Sequence, residues 1–260
     1  MATTTTPQTI DRITATRRPS GSPVMKQTWS HLLFLHWRVP ASALRPLVPA
    51  GLEVDTFEDH GWIGLVPFTV SGARPCFLPP VPFLSSFHEV NVRTYVHRHG
   101  HDPGVWFFSL DASNSIVVEA AKRLYRLPYK YAAIDFRLQP AEETPQPGGR
   151  PMRIDFSSRR IEGNPPDLEV RYGAGDFPRA AEPGTLEHFL VERYILYAAD
   201  GAGLYSARVH HAPYPLQAGV VDGLRESLVA AAGVQRPESE PLAHYASGVD
   251  VDIWRLQDVV

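Results

Sequence analysis

Across 260 residues the chain sets 25 Lys and Arg against 28 Asp and Glu, for a net charge of -3 and a sequence pI of about 6.4. That balance gives no basic surplus for nucleic acid or an anionic membrane surface. The single cysteine, Cys76, excludes an intrachain disulfide and fits a reducing compartment; it reads as a buried or partly buried thiol rather than a nucleophile.

No run of eighteen apolar residues exists, so no transmembrane helix is expected. Residues 1–24 are rich in Thr and lack the apolar region of a secretory signal; they read as a solvated, disordered tail ahead of one domain over 25–260. The expected location is the cytoplasm. Residues 32–39 (LLFLHWRV) are apolar on both faces and predict a central strand. A short helix or turn over 42–47 follows. Strands are expected over 52–57, 62–71, 87–97 and 105–110, with the proline-dense stretch 75–82 as a loop.

Ile116, Val117, Ala120, Ala121 and Leu124 predict a helix over 113–124, capped by Asp111 or Ser113. Strand-like segments recur at 132–138, 152–158 and 168–172, around a surface loop at 140–151. A second helix is predicted over 185–198 from the stripe Leu186, Phe189, Leu190, Tyr194 and Tyr197. A strand over 204–211, a helix over 224–232 and a closing strand over 249–256 complete the pattern. Many strands with two or three helices make an α+β domain, read as a partly closed barrel.

The strand FHEVNVRTYV (87–96) carries the most chemistry. Alternation puts Val90, Val92, Thr94 and Val96 on one face and Glu89, Asn91, Arg93 and Tyr95 on the other. The polar row faces either solvent or a cavity. A hairpin to the apolar VWFFSL would cover both faces and favours the cavity, where a carboxylate or guanidinium needs a partner or ligand. His36 and Arg38 share a face of the first strand with Leu32 and Phe34; for Arg38 a structural ion pair competes with a substrate contact. In RLPYKYA, Lys130 between two tyrosines is either a desolvated amine fit for Schiff-base chemistry or a solvated charge. Arg193 falls in the apolar stripe of the second predicted helix and must meet either a buried acid or a ligand anion, while Glu192 turns to solvent. His97, His99, His101 and Asp102 sit on a hairpin tip where ordered metal coordination is not expected. No nucleotide-binding, serine-hydrolase or zinc-protease motif occurs.

In order along the chain, LLFLHWRVP, FHEVNVRTYV, FFSLDA, LPYKYA and FLVERYILY resemble the YqjF-like family, a bacterial domain of unknown function, from Trp29 to the C-terminus. That family is similar to a branch of the acetoacetate decarboxylase superfamily, whose arginine-and-proline segment WRVPASALRPLVPAGLEVD resembles. The resemblance implies curled sheets or a β-barrel around an internal, mostly apolar cavity. It puts Glu89 where the decarboxylases keep a cavity glutamate. Of their two consecutive lysines it leaves Tyr129 in place of the Schiff-base nucleophile and Lys130 in place of the second. The substrate-binding arginine falls at or near Ser30, so imine decarboxylation is not expected.

The reading is an acid/base enzyme for a small polar organic molecule with a carbonyl or carboxylate, or a binding protein that kept the cavity and lost the nucleophile. Glu89 acts as base and Tyr129 as acid or oxyanion donor, with Lys130 beside them. Asn91, Arg93, Arg193 and Arg38 are the candidate substrate contacts. No metal or cofactor is expected, and homo-oligomerisation is left open.

Overall fold

The computed structural model describes residues 10–139, 152–161 and 165–259; the loop expected at 140–151 lies outside them. The chain opens with β1 (Met25–Val39), α1 (Ala41–Leu44), β2 (Glu53–Val54), β3 (Gly61–Pro75), β4 (Phe87–Arg98) and β5 (His101–Ala112). Then come α2 (Ser115–Tyr125), β6 (Tyr129–Gln139), β7 (Arg153–Arg160), β8 (Asp167–Ala174) and α3 (Leu186–Val191). The remainder is β9 (Ile195–Asp200), β10 (Gly203–His210), β11 (Leu216–Glu226), α4 (Leu228–Ala231), β12 (Leu242–Ile253) and β13 (Gln257–Asp258). No described helix is long and apolar enough to cross a membrane.

The strands form one mixed 13-stranded sheet, antiparallel except where β5 meets β6 and β9. Its pairings return on themselves twice. From β5 one route runs through β6, β7, β8, β11, β12, β1 and β3 to β4, which pairs with β5. A second leaves β5 through β9 and β10 and rejoins the first at β12. Along stretches of β1, β3, β4 and β5 both faces are therefore buried, and alternate residues enter different cores. Leu32 and Phe34 pack in one core with Tyr95 and Phe189; Leu33, Leu35 and Trp37 pack in the other with Phe156, Val170 and Tyr172. Each such side chain stabilises the fold by about 1.5–3 kcal/mol. This is why 32–37 is buried without alternation, and why β4 is buried on both faces from Glu89 to Val96.

Several expectations are corrected. The helix predicted over 185–198 is only α3, capped by the Thr185 hydroxyl on the His188 amide at 3.3 Å. After Glu192 the aromatic and β-branched run instead forms β9, whose ladders with β5 and β10 outweigh a period that six residues of real helix had suggested. The helix predicted over 224–232 shrinks to α4, because 219–226 pairs with β8. Asn114, not Asp111 or Ser113, caps α2, accepting from the amides of Ile116 and Val117 at 3.1 and 3.2 Å; Asp111 stays inside β5. Cys76 is exposed. Residues 10–24, expected within a disordered tail, lie on the protein because Arg12 pairs with buried Asp55.

Candidate active site

The polar row of β4 opens into a pocket of about 240 Å³. Its walls come from β1 (Trp29, Leu32, Phe34), β3 (Val66, Phe68), β5 (Phe107, Leu110) and the apolar stripe of α2. That stripe explains why the helix is amphipathic although Val118 is its only residue buried below a tenth exposure. Val117, Ala120, Ala121 and Leu124 cover a pocket rather than a filled core. Leu124 is 66% exposed, so the pocket reaches solvent along this helix.

Glu89, Asn91, Arg93 and Tyr129 line it; Tyr95, the fourth member of the alternating row, does not. Glu89 is 4% exposed and accepts the Tyr129 hydroxyl on Oε2 at 2.9 Å. Burial pushes its carboxyl up from 4.5 to about 8; Asp111 on the adjoining strand pushes the same way, and the tyrosine bond opposes both. Burial and the adjacent glutamate raise Tyr129 well above its usual value, so it remains a hydrogen-bond donor. Asn91 is 5% exposed, and its Oδ1 has no partner. Arg93, also buried, spends Nη2 on the Leu190 carbonyl at 3.2 Å and lies over the Phe34 ring at 5.5 Å, while its Nε has no partner.

The structure separates the other candidates from this group. Lys130 points outward and is exposed, the next residue along β6 from Tyr129. Arg38 is exposed, with Nη2 lying 2.6 Å from His60 Nδ1. Arg193 is buried outside the helix, where Nη1 pairs with Asp55 at 2.8 Å and Nε donates to Phe189 O at 2.7 Å. Its partner is an acid of the fold. Glu192, expected in solvent, is buried and receives the Tyr194 hydroxyl at 2.5 Å and the Tyr214 amide at 3.0 Å.

Sequence reasoning missed Tyr214, Arg74 and Gln27, which also line the pocket. Tyr214 sits between two prolines, outside any periodic segment, so no pattern could have flagged it. His36 accompanies the row from β1: Tyr95 Oη donates to Leu190 O at 2.7 Å, so His36 Nε2 at 2.6 Å donates to Tyr95. Burial first, then Arg93, holds His36 well below 6.5 and therefore neutral. A larger depression of about 490 Å³ on the outer face of β6–β8 is lined by charges that pair with one another, such as Arg225 with Glu169 at 2.7 Å. Among the described residues no group of three or more His, Cys, Asp or Glu converges as a metal site.

A family model described as an uncharacterized conserved protein, DUF2071, matches residues 26–250. The chain belongs to the DUF2071 family. The Uncharacterized protein YqjF of Bacillus subtilis (strain 168) is 37% identical to this DUF2071 protein over 239 residues, 92% of this chain and 94% of that one. Among solved structures, MppR, an enduracididine biosynthesis enzyme complexed with the condensation product of pyruvate and imidazole 4-carboxaldehyde, superposes with a TM-score of 0.62 at 13% identity, covering 92% of this chain and 90% of its own. An acetoacetate decarboxylase-like enzyme from Sphingomonas wittichii RW1 gives 0.62 at 15% identity, with 92% and 94% covered. These likenesses establish an acetoacetate decarboxylase-like fold for this DUF2071 protein.

Proposed function

We propose that this protein is a small-molecule enzyme that moves protons on a carbonyl or carboxylate compound held in an internal cavity of a barrel-like sheet, without forming a Schiff base. The observation that carries the reading is Glu89: a carboxyl buried in a ligand-sized pocket, raised to about 8, with a tyrosine hydroxyl on one oxygen. Tyr129 occupies Oε2, so the proton resides on Oε1. At neutral pH Glu89 is thus the acid, which alters the role that sequence alone assigns to it. After it gives its proton to a carbonyl oxygen or an enolate carbon, the resulting carboxylate is stabilised by Tyr129 and takes a proton back from substrate or water. Asn91 and Arg93 orient the substrate from the same row.

MppR, which shares the fold, is described with a pyruvate-derived product bound, which supports a carbonyl compound as the ligand class. The exposed Lys130 and the tyrosine at position 129 support a mechanism without an imine. The test is turnover of β-keto acids, enol tautomers and small esters by the wild type and by Glu89→Gln. Turnover that falls about 10²-fold or more in the variant is the expected result. Binding that stabilises the protein without any turnover would favour the second reading, a binding protein that kept the pocket.

A further inference from the structure

Among the described residues two arginines are buried, Arg93 and Arg193. Arg193 has Asp55 at 2.8 Å. Arg93 has no acid among the described residues. It is 8% exposed, makes one hydrogen bond to a carbonyl, leaves Nε unpartnered, and forms no ion pair among the described residues. An unpaired buried guanidinium is costly, and its fork of donors matches a carboxylate. No acid pairs with it: Glu89 bonds to Tyr129 at the other end of the row, and Glu192 is held by Tyr194 and Tyr214 rather than by Arg93.

Arg93 lies at the inner end of the row, beside Leu190, and Asn91 with its orphan Oδ1 stands between it and Glu89. Four residues of strand separate the two ends by roughly 13 Å at the backbone. Apart from Gln27, Arg74 and the tyrosines, the rest of the lining is apolar, from Phe34 and Phe68 at the strands to Val117 and Leu124 at the helix. At about 240 Å³ the pocket falls just short of the roughly 300–1,000 Å³ of drug-sized sites. Resting on the proposed site, we infer that its ligand is a monoanionic carboxylic acid with an apolar alkyl or aryl body, whose carboxylate is bound by Arg93 and whose reactive carbonyl lies at Glu89. A short, fully polar keto acid would leave most of the apolar wall unfilled.

The test is calorimetric binding of straight-chain carboxylates from acetate to decanoate and of 4-phenylbutanoate, each beside its primary amide. Expected are a Kd that falls about four-fold per methylene until the pocket is full, and amides at least ten-fold weaker than acids. In Arg93→Met the acid-over-amide preference should disappear while the chain-length slope remains. Arg93→Lys, which keeps the charge, should retain part of the preference. The inference is overturned if amides bind as well as acids in the wild type, if acetate binds as tightly as longer chains, or if nothing in the series binds. Turnover plays no part in the measurement. Acids bound with this pattern but nothing converted would sink the proposed reaction and keep the subsite. Neutral esters or ketones converted, with no acid preference in binding, would do the reverse.

Discussion

The Tyr129 hydroxyl donates to Oε2 of Glu89 at 2.9 Å, a bond that joins the start of β6 to the polar face of β4 across the pocket. It connects the two ionisable side chains that face each other in the pocket. Burial nevertheless dominates, and the carboxyl stays protonated to about pH 8. In the unfolded chain it ionises near 4.5. Between these values the folded state holds the extra proton, so this group's contribution to stability falls as pH rises, by at most about 1.4 kcal/mol per pH unit. Glu89→Gln removes the titration. The unfolding free energy of wild type relative to the variant should therefore decline from pH 4.5 to pH 8 and level off on either side. Denaturant unfolding at stepped pH measures it, and a flat difference across that window would mean that Glu89 is solvated.

Covalent chemistry gives a second test. Tyr129 lines the pocket and has no amine, and Lys130 is exposed outside it. Borohydride reduction in the presence of acetoacetate should leave the protein mass unchanged. A stoichiometric adduct on Lys130 would show that the amine reaches the substrate and would restore decarboxylase-like chemistry.

Asp55 is fully buried between Arg193, which is 2% exposed, and Arg12, which is 24% exposed. Arg193→Met leaves the carboxylate with only the outer, more solvated partner. It should cost about 3 kcal/mol, the lower end for breaking a buried pair. Arg12→Ala should cost about 1 kcal/mol, since that side chain keeps contact with water. Neither should change carboxylate affinity. Arg193→Met that weakens carboxylate binding at unchanged melting temperature would place Arg193 in the ligand site instead.

The same residues show what the sequence can and cannot disclose. A period of two along 87–96 puts Glu89, Asn91 and Arg93 on one face whatever the neighbours are, and they do converge on one pocket. Arg193 was harder. Leu186, Leu190, Arg193 and Tyr197 keep helical spacing across a chain that is helical only to Val191, because β9 pairs with β10 on one edge and with Val105 and Trp106, some ninety residues earlier, on the other. The acid for Arg193 is 138 positions away, and nothing local to Asp55 marks it. Arg38 fits the alternation that buries Phe34 and His36 yet lies exposed near the strand end. Burial toward the ends of a strand depends on what packs over them, and periodicity carries no information on that.

The closing contact between the two circuits of the sheet supplies the last prediction. Gly104 on β5 faces Ile195, where β9 begins its parallel pairing. A Cβ at Gly104 would lie 2.5 Å from the Ile195 carbonyl oxygen and 3.0 Å from its Cβ. The first is backbone of a bonded strand and cannot rotate away, so β9 would have to shift. Leu196, the next residue, lines the pocket, so the shift would also move a wall. Gly104→Ala should destabilise by about 1–3 kcal/mol, the usual cost of overpacking, and weaken ligand binding together with stability. Gly223 is the control: it is exposed on β11, with nothing within 4 Å of its Cβ and no left-handed φ. Gly223→Ala should be neutral or stabilise by roughly 0.4–1 kcal/mol through the unfolded chain. Equal melting temperatures for Gly104→Ala and the wild type would mean that β5 and β9 do not approach this closely, and the second circuit of the sheet would then be open.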